Sequence, residues 1–165
     1  WLLGNDAWPG TGEIDIMEAV NLKTPTDAPN APAGKMENRV HGTLHYGKVA
    51  PGNVYTGKPY ELPANANPAD DFHVYAIEWR DGEIRWFVDD VLYSTQTSAS
   101  WYTQYVNNTG TLVTGAGSAP FDQRFHLLLN LAVGGNWAAN VNQKGIDESV
   151  FPQTLKIDYV RVYQQ

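Results

Sequence analysis

Apolar and polar residues alternate along much of this chain, in short runs separated by Gly, Pro and Asn. Strict alternation marks a strand with one buried face, because successive side chains point to opposite sides. Gly12 to Glu18 (GEIDIME) reads this way, with Ile14 and Ile16 on one face and Glu13 and Asp15 on the other. Val40 to Tyr46 reads the same, with Val40, Leu44 and Tyr46 opposite His41, Thr43 and His45. Phe72 to Trp79 is a third strand, and Asp81-Gly82 follows it as a strong hairpin signal. Ile84 to Val88 returns, Asp89-Asp90 turns, and Val91 to Ser94 pairs back. The apolar run from Arg124 to Gly134, with Asn130 inside it, predicts a strand buried on both faces, and Leu155 to Tyr163 predicts a last strand. A short strand is expected near Val54-Tyr55, and one or two helical turns over Ser98 to Tyr105, capped by Ser98 or Ser100. Residues 5–12, 21–35, 109–120 and 135–152 read as loops, as does most of 47–71. Many short strands with hardly any helix indicate an all-β sandwich or barrel, and a jelly roll with its acids on a concave sheet fits. No repeat or linker divides the chain, so residues 1–165 are expected to form a single domain.

The acidic stretch carries the chemistry. A third carboxylate in register would stand at position 17, but that residue is Met and Glu18 is one residue late. A β-bulge at Ile16-Met17 would return Glu18 to the face of Glu13 and Asp15. The two glutamates would then be roughly 13 Å apart at Cα, at ~3.3 Å per residue. Side chains leaning together would leave their carboxyls on the order of 5 Å apart, the spacing of a retaining glycosidase. Asp15, between them, would help hold a proton on one Glu while the other stays ionised. The plain alternative is a solvated strand face that happens to be acidic.

Composition narrows the partners. A net charge of −7 argues against nucleic acid and against an anionic membrane surface. No apolar run approaches a membrane span. The chain has no Cys, so no disulfide framework is available and no zinc-type ligand spacing stands out. Aromatic residues make up 12%, six of them Trp, which suits flat faces for stacking on sugars or, equally, a β-rich core. Asn107-Asn108-Thr109 matches a glycosylation sequon.

Taken in order, Trp8-Pro9, Glu13-x-Asp15-x-x-Glu18, HGTLH at 41–45, FHVYAIEW at 72–79, NLAVGGNW at 130–137 and DYVRVY at 158–163 resemble a glycoside hydrolase of family sixteen. The laminarinase branch, endo-β-1,3-glucanases, is the nearest pattern. The resemblance implies a concanavalin-like jelly roll with an open sugar cleft. It implies Glu13 as nucleophile, Asp15 as its electrostatic helper and Glu18 as acid/base. It assigns Trp8, His45, Trp79, Asn130 and Trp137 to the substrate cleft, whereas Trp86 alternates with Ile84 and Val88 and is expected in the core. It implies no cofactor for catalysis, but a structural Ca²⁺ on the convex face with Asp158 as carboxylate ligand. The implied partner is a β-glucan, met outside the cell after secretion. Mixed-linkage glucan remains open as substrate, as does a non-catalytic glucan-binding module on the same fold.

One departure stands out. Only twelve residues precede Glu13, where the family places several strands, and jelly rolls run to roughly 200–250 residues. The N-terminal part of the domain is therefore expected to be missing, leaving unpaired edges or an exposed apolar patch. The strand at 13–18 is still expected to be bulged.

Overall fold

The computed structural model describes residues 1–164. Ten strands form: β1 (Leu2–Leu3), β2 (Glu13–Glu18), β3 (Arg39–Gly47), β4 (Asn53–Glu61), β5 (Tyr75–Arg80), β6 (Glu83–Val88), β7 (Val91–Thr97), β8 (Gln104–Val106), β9 (Leu112–Thr114) and β10 (His126–Leu127). One short helix, α1 (Gly135–Ala138), and two single 3-10 turns complete the regular structure. None is long and apolar enough to cross a membrane. The first sheet runs β10-β1-β2-β3-β4, all its pairs antiparallel, and the second runs β5-β6-β7.

The alternation decides which faces meet. Ile14, Val40, Leu44 and Tyr46 of the first sheet pack against Ile84, Trp86, Val88 and Tyr93 of the second, with Trp101 and Phe121 closing one end. Full burial of such side chains is worth about 1.5–3 kcal/mol each, so this layer sets the register of β2, β3 and β6. The opposite face of β2 and β3, bearing the acids and His41, Thr43 and His45, is left free of the core. Both hairpins fall where the turn signals stand. Gly82 adopts φ 74°, and Asp89 and Asp90 adopt φ 47° and 64°, the left-handed pair that a tight two-residue turn needs. Asp89 fastens that turn, accepting the Val74 N–H at 2.9 Å while its other oxygen meets His73 Nδ1 at 2.7 Å.

Several expectations are corrected. The short strand near Val54-Tyr55 is a nine-residue strand paired with β3 along its whole length. Gly57 and Pro59 hid it, but β4 is an edge strand, where a missing N–H facing outward costs no ladder bond. Ser98 to Tyr105 does not form helix, and the expected loop after it contains β9. Instead β8 and β9 make a hairpin around Asn107, whose side-chain oxygen accepts the backbone N–H of Thr109 and Thr111. The third strand begins at Tyr75 rather than Phe72.

The two late strands are the largest differences. Of Arg124 to Gly134 only His126–Leu127 is strand, paired to β1 and continued by Leu128, which exchanges backbone bonds with Trp1 at 2.8 Å; Leu129, Leu131 and Val133 are exposed. Leu155 to Tyr163 has no strand assignment, and Leu155, Ile157, Tyr159 and Val160 are exposed as well. Periodicity reports which faces a strand would present; a strand forms only where a neighbour offers its backbone groups. No such neighbour for 155–163 is found among the described residues.

Candidate active site

The site grows from the irregularity in β2. Glu13 stands opposite His45, Asp15 opposite Thr43 and Glu18 opposite His41, so three steps on β2 match two on β3. The register shift between Asp15 and Glu18 is the expected bulge. It also reassigns the apolar residues. Met17, not Ile16, joins Ile14 against the core, because the extra residue inverts the alternation after Asp15. Glu13, Asp15 and Glu18 are thereby gathered over one face of the sheet.

Around them the side chains are close and poorly solvated. Asp15 is 1% exposed, and neither carboxylate oxygen has a hydrogen-bond partner. His45 Nε2 lies 3.2 Å from Oδ2. Glu13, Asp15 and His45 each offer an atom within 4.8 Å of the others. The indole N–H of Trp8 donates to Glu13 Oε2, and the Trp8 ring tilts against His45 at 5.8 Å.

This crowding shifts the acids. Burial first, and the Asp15 charge second, push Glu13 up to about 7, while the Trp8 N–H and the His45 imidazole oppose the rise. Glu18 is likewise pushed up to about 7, by burial and then Asp15, with His45 and the Thr43 hydroxyl opposing. Burial would lower the His45 pKa, but Asp15, Glu13 and Glu18 outweigh it and raise it. Two glutamates titrating near neutrality beside a third carboxylate can hold one proton between them, the requirement for acid/base work.

Two predictions follow from these shifts. Glu18 in the folded state titrates near 7 against an ordinary 4.5, so the folded form holds the proton more tightly. Its contribution to stability is therefore greatest below pH 4.5 and is lost as the pH rises to 7. With partial solvent screening allowed for, the ionised carboxylate costs on the order of 2 kcal/mol at pH 8. Glu18→Gln should raise the Tm by several degrees at pH 8 and leave it unchanged at pH 4, as calorimetry would report. Trp8→Phe removes a donor that favours ionised Glu13. The acid limb of its kcat/KM profile should move to higher pH, with about a tenfold loss below the limb.

The face continues on both sides of the acids. Beyond Glu13, His45 is followed by Tyr55 of β4, the rings 5.8 Å apart and Tyr55 70% exposed. Beyond Glu18, Trp137 packs edge-on against His41 at 5.0 Å. Trp8 and Trp137 thus stand at opposite ends of the row of acids, as a long ligand would need. The segment of α1 bearing Trp137, with the turn after it, is tied to the loop that leaves Glu18. Asn21 Nδ2 donates to the carbonyls of Ala138 (2.7 Å) and Val141 (3.2 Å), and Asp27 and Asn142 exchange backbone-to-side-chain bonds at 2.9 and 3.1 Å. The sequence reading missed Asn21 and Tyr55. Tyr55 could have been found by its parity with His45 had the length of β4 been legible; Asn21 carries no signal of its own. A separate hollow of about 350 Å³, lined by Asp6, Gly10, Thr103 and Gln123 among others, is apart from Glu13, Asp15 and Glu18.

Three predicted site residues stand elsewhere. Trp79 shares the inward parity of Tyr75 and Ile77 on β5; its N–H meets the Phe121 carbonyl at 3.0 Å and its ring meets Phe125. Asn130 lies exposed beyond β10, two strands from β2. Asp158 is exposed in a segment without strand pairing. It belongs to no convergent group of His, Asp or Glu among the described residues.

The geometry has relatives. The model for "Glycosyl hydrolases family 16" matches residues 1–149. The chain belongs to that family. A beta-glucanase of Rhodothermus marinus is 39% identical over 171 residues, covering 98% of this chain and 47% of that protein. Glucan endo-1,3-beta-glucosidase A1 of Niallia circulans is 34% identical over 169 residues, covering 100% of this chain and 21% of the relative. The crystallographic laminarinase from Rhodothermus marinus superposes with a TM-score of 0.60 at 36% identity, covering 92% of this chain and 53% of that one. This family-16 chain therefore spans about half the length of the Rhodothermus proteins and a fifth of the Niallia one. Its all-β architecture is that of the family's jelly roll.

Proposed function

We propose that this family-16 chain carries the machinery of a retaining endo-hydrolase acting on internal β-1,3 bonds of a laminarin-type glucan. The observation that carries the reading is the bulge, which gathers Glu13, Asp15 and Glu18 on one sheet face with both glutamates pushed up to about 7. The assignment of Glu13 as nucleophile is supported by its donor. The Trp8 N–H donates to its Oε2 and favours its ionised form. In the first step the Glu13 carboxylate attacks the anomeric carbon as the glycosidic C–O bond breaks, and Glu18 gives its proton to the departing oxygen. In the second, Glu18 takes a proton from water, whose oxygen attacks the same carbon and displaces Glu13. Two inversions give net retention. Asp15, beside both, raises the pKa of the two glutamates and so helps Glu18 keep its proton until the glycosidic bond breaks.

The β-1,3 preference is supported by the Niallia relative, a glucan endo-1,3-beta-glucosidase, and by the Rhodothermus laminarinase structure; the acidic chain suits a neutral polymer of either linkage. Extracellular action fits a polymeric substrate. The exposed apolar side chains over 129–133 and 155–162 support a further part of our reading, that additional polypeptide covers these segments in the active protein.

The test is product analysis on laminarin, mixed-linkage glucan and cellulose, with proton NMR of the first products. The reading requires fastest cleavage of laminarin to oligosaccharides, with the β-anomer formed first. Binding without cleavage would favour a recognition module, and α-anomer first would overturn the retaining mechanism.

A further inference from the structure

A bulge that aims a catalytic residue must itself be held. The ladder between β2 and β3 skips one residue between Asp15 and Glu18, so the strand is least constrained by its neighbour at that point. The side chain of Asp15 faces the other acids and His45, whose Nε2 lies 3.2 Å from Oδ2, and ties the strand only to its own sheet. Its main chain reaches beyond it. The carbonyl oxygen of Asp15 accepts a hydrogen bond from the indole Nε1 of Trp86 at 2.8 Å.

Trp86 comes from the other sheet. It lies on β6, 71 residues later in the chain, and is fully buried. Its indole reaches the back of the acidic strand because the core-facing stripe of β3 carries Gly42 between Val40 and Leu44. A Cβ at Gly42 would stand 2.5 Å from Cδ1 and 2.8 Å from Nε1 of Trp86. No real side chain fits there, and any that displaced the ring would break its bond to Asp15.

Core packing alone does not ask for this arrangement. A buried indole needs an acceptor, but many carbonyls would serve. Trp101 uses Ser118 at 3.1 Å and Trp79 uses Phe121 at 3.0 Å, both away from the acids. Among the described indoles Trp86 alone bonds to the backbone of β2. We propose that Trp86, admitted by the gap at Gly42, is a positioning residue: its N–H fixes the main chain at the bulge so that Asp15 and Glu18 converge with Glu13. The proposal rests on the hydrolytic reading above for its kinetic consequence, and on the bulge geometry for its structural one.

The experiment compares Trp86→Phe with Tyr93→Phe in the protein. Tyr93 also borders Gly42 from the core but does not bond to Asp15, so it controls for core perturbation. With rates scaled to active sites titrated by a slow glycosyl inactivator, Trp86→Phe should lower kcat on laminarin at least tenfold. KM should stay within twofold, and the basic limb of the pH profile should move, because Glu18 no longer sits in the same field. Tyr93→Phe should change none of these. If Trp86→Phe fails to fold, the benzothienylalanine isostere at position 86 keeps the shape, replaces N–H by sulfur and is held to the same expectations. Wild-type kcat and pH profile in the variant, or an equal loss in Tyr93→Phe, would overturn the proposal. If the wild-type protein cleaves no glucan, the hydrolytic reading fails and crystal structures decide the positioning role. A register shift between Asp15 and Glu18 that is lost or displaced in the isostere supports it, and an unchanged bulge overturns it.

Discussion

Glu13→Ala should abolish glucan hydrolysis, with kcat reduced by more than about 10⁴-fold. Glucan affinity should be retained, because Trp8, Tyr55 and Trp137 still present their rings. The reason is covalent. Without the Glu13 carboxylate the anomeric carbon has no nucleophile on that side, and the first displacement cannot occur. Azide is small enough to enter the space that alanine leaves. With an activated aryl glycoside it should restore turnover and give the α-glycosyl azide, one inversion instead of two. Glu18→Ala has a different signature. It should remove acid assistance for poor leaving groups while sparing activated ones, and azide should then give the β-azide from the glycosyl-enzyme. If the two signatures were exchanged, the roles of Glu13 and Glu18 would be reversed.

Deleting Met17 should cost about a hundredfold in kcat with little loss of stability. The bulge puts Met17 against the core and keeps Ile16 out of it. A six-residue strand shortened by one would alternate strictly, bringing Ile16 inward and keeping Glu18 opposite His41. Exchanging Met for Ile in that position is nearly volume-conserving and costs under about 1.5 kcal/mol. What changes is aim. A bulge bends and twists its strand, and removing it redirects the Glu18 side chain by something near 1 Å, enough to lose about 10² in rate. The measurement is kcat alongside the Tm. A deletion variant with normal turnover would mean that the bulge does not aim Glu18.

These residues also mark how far the sequence could be read. The acids, their common face and the bulge were legible because six residues of β2 break a two-residue period in one place only. The partition of β3 into His41, Thr43 and His45 against Val40, Leu44 and Tyr46 was legible for the same reason, as were both hairpin turns. The choice between Ile16 and Met17 was not, because it depends on which side of the extra residue the ladder resumes. Trp79 misled because parity places it inward with Ile77 while its sequence neighbours match a motif. The apolar run at 124–134 and the alternation at 155–163 suit strands, but a strand needs partners that neither pattern can supply. The Trp86 bond to Asp15 joins residues far apart in the chain, and its only local sign is a glycine in a core stripe.

Trapping the glycosyl-enzyme tests the central claim most directly. The protein would be incubated with a 2-deoxy-2-fluoro-laminaribiosyl donor bearing a good leaving group, then weighed intact and digested for peptide mass spectrometry. A single adduct of the disaccharide mass is predicted, attached through Glu13. An adduct on Glu18, or none on an inactivated and correctly folded protein, would contradict the account.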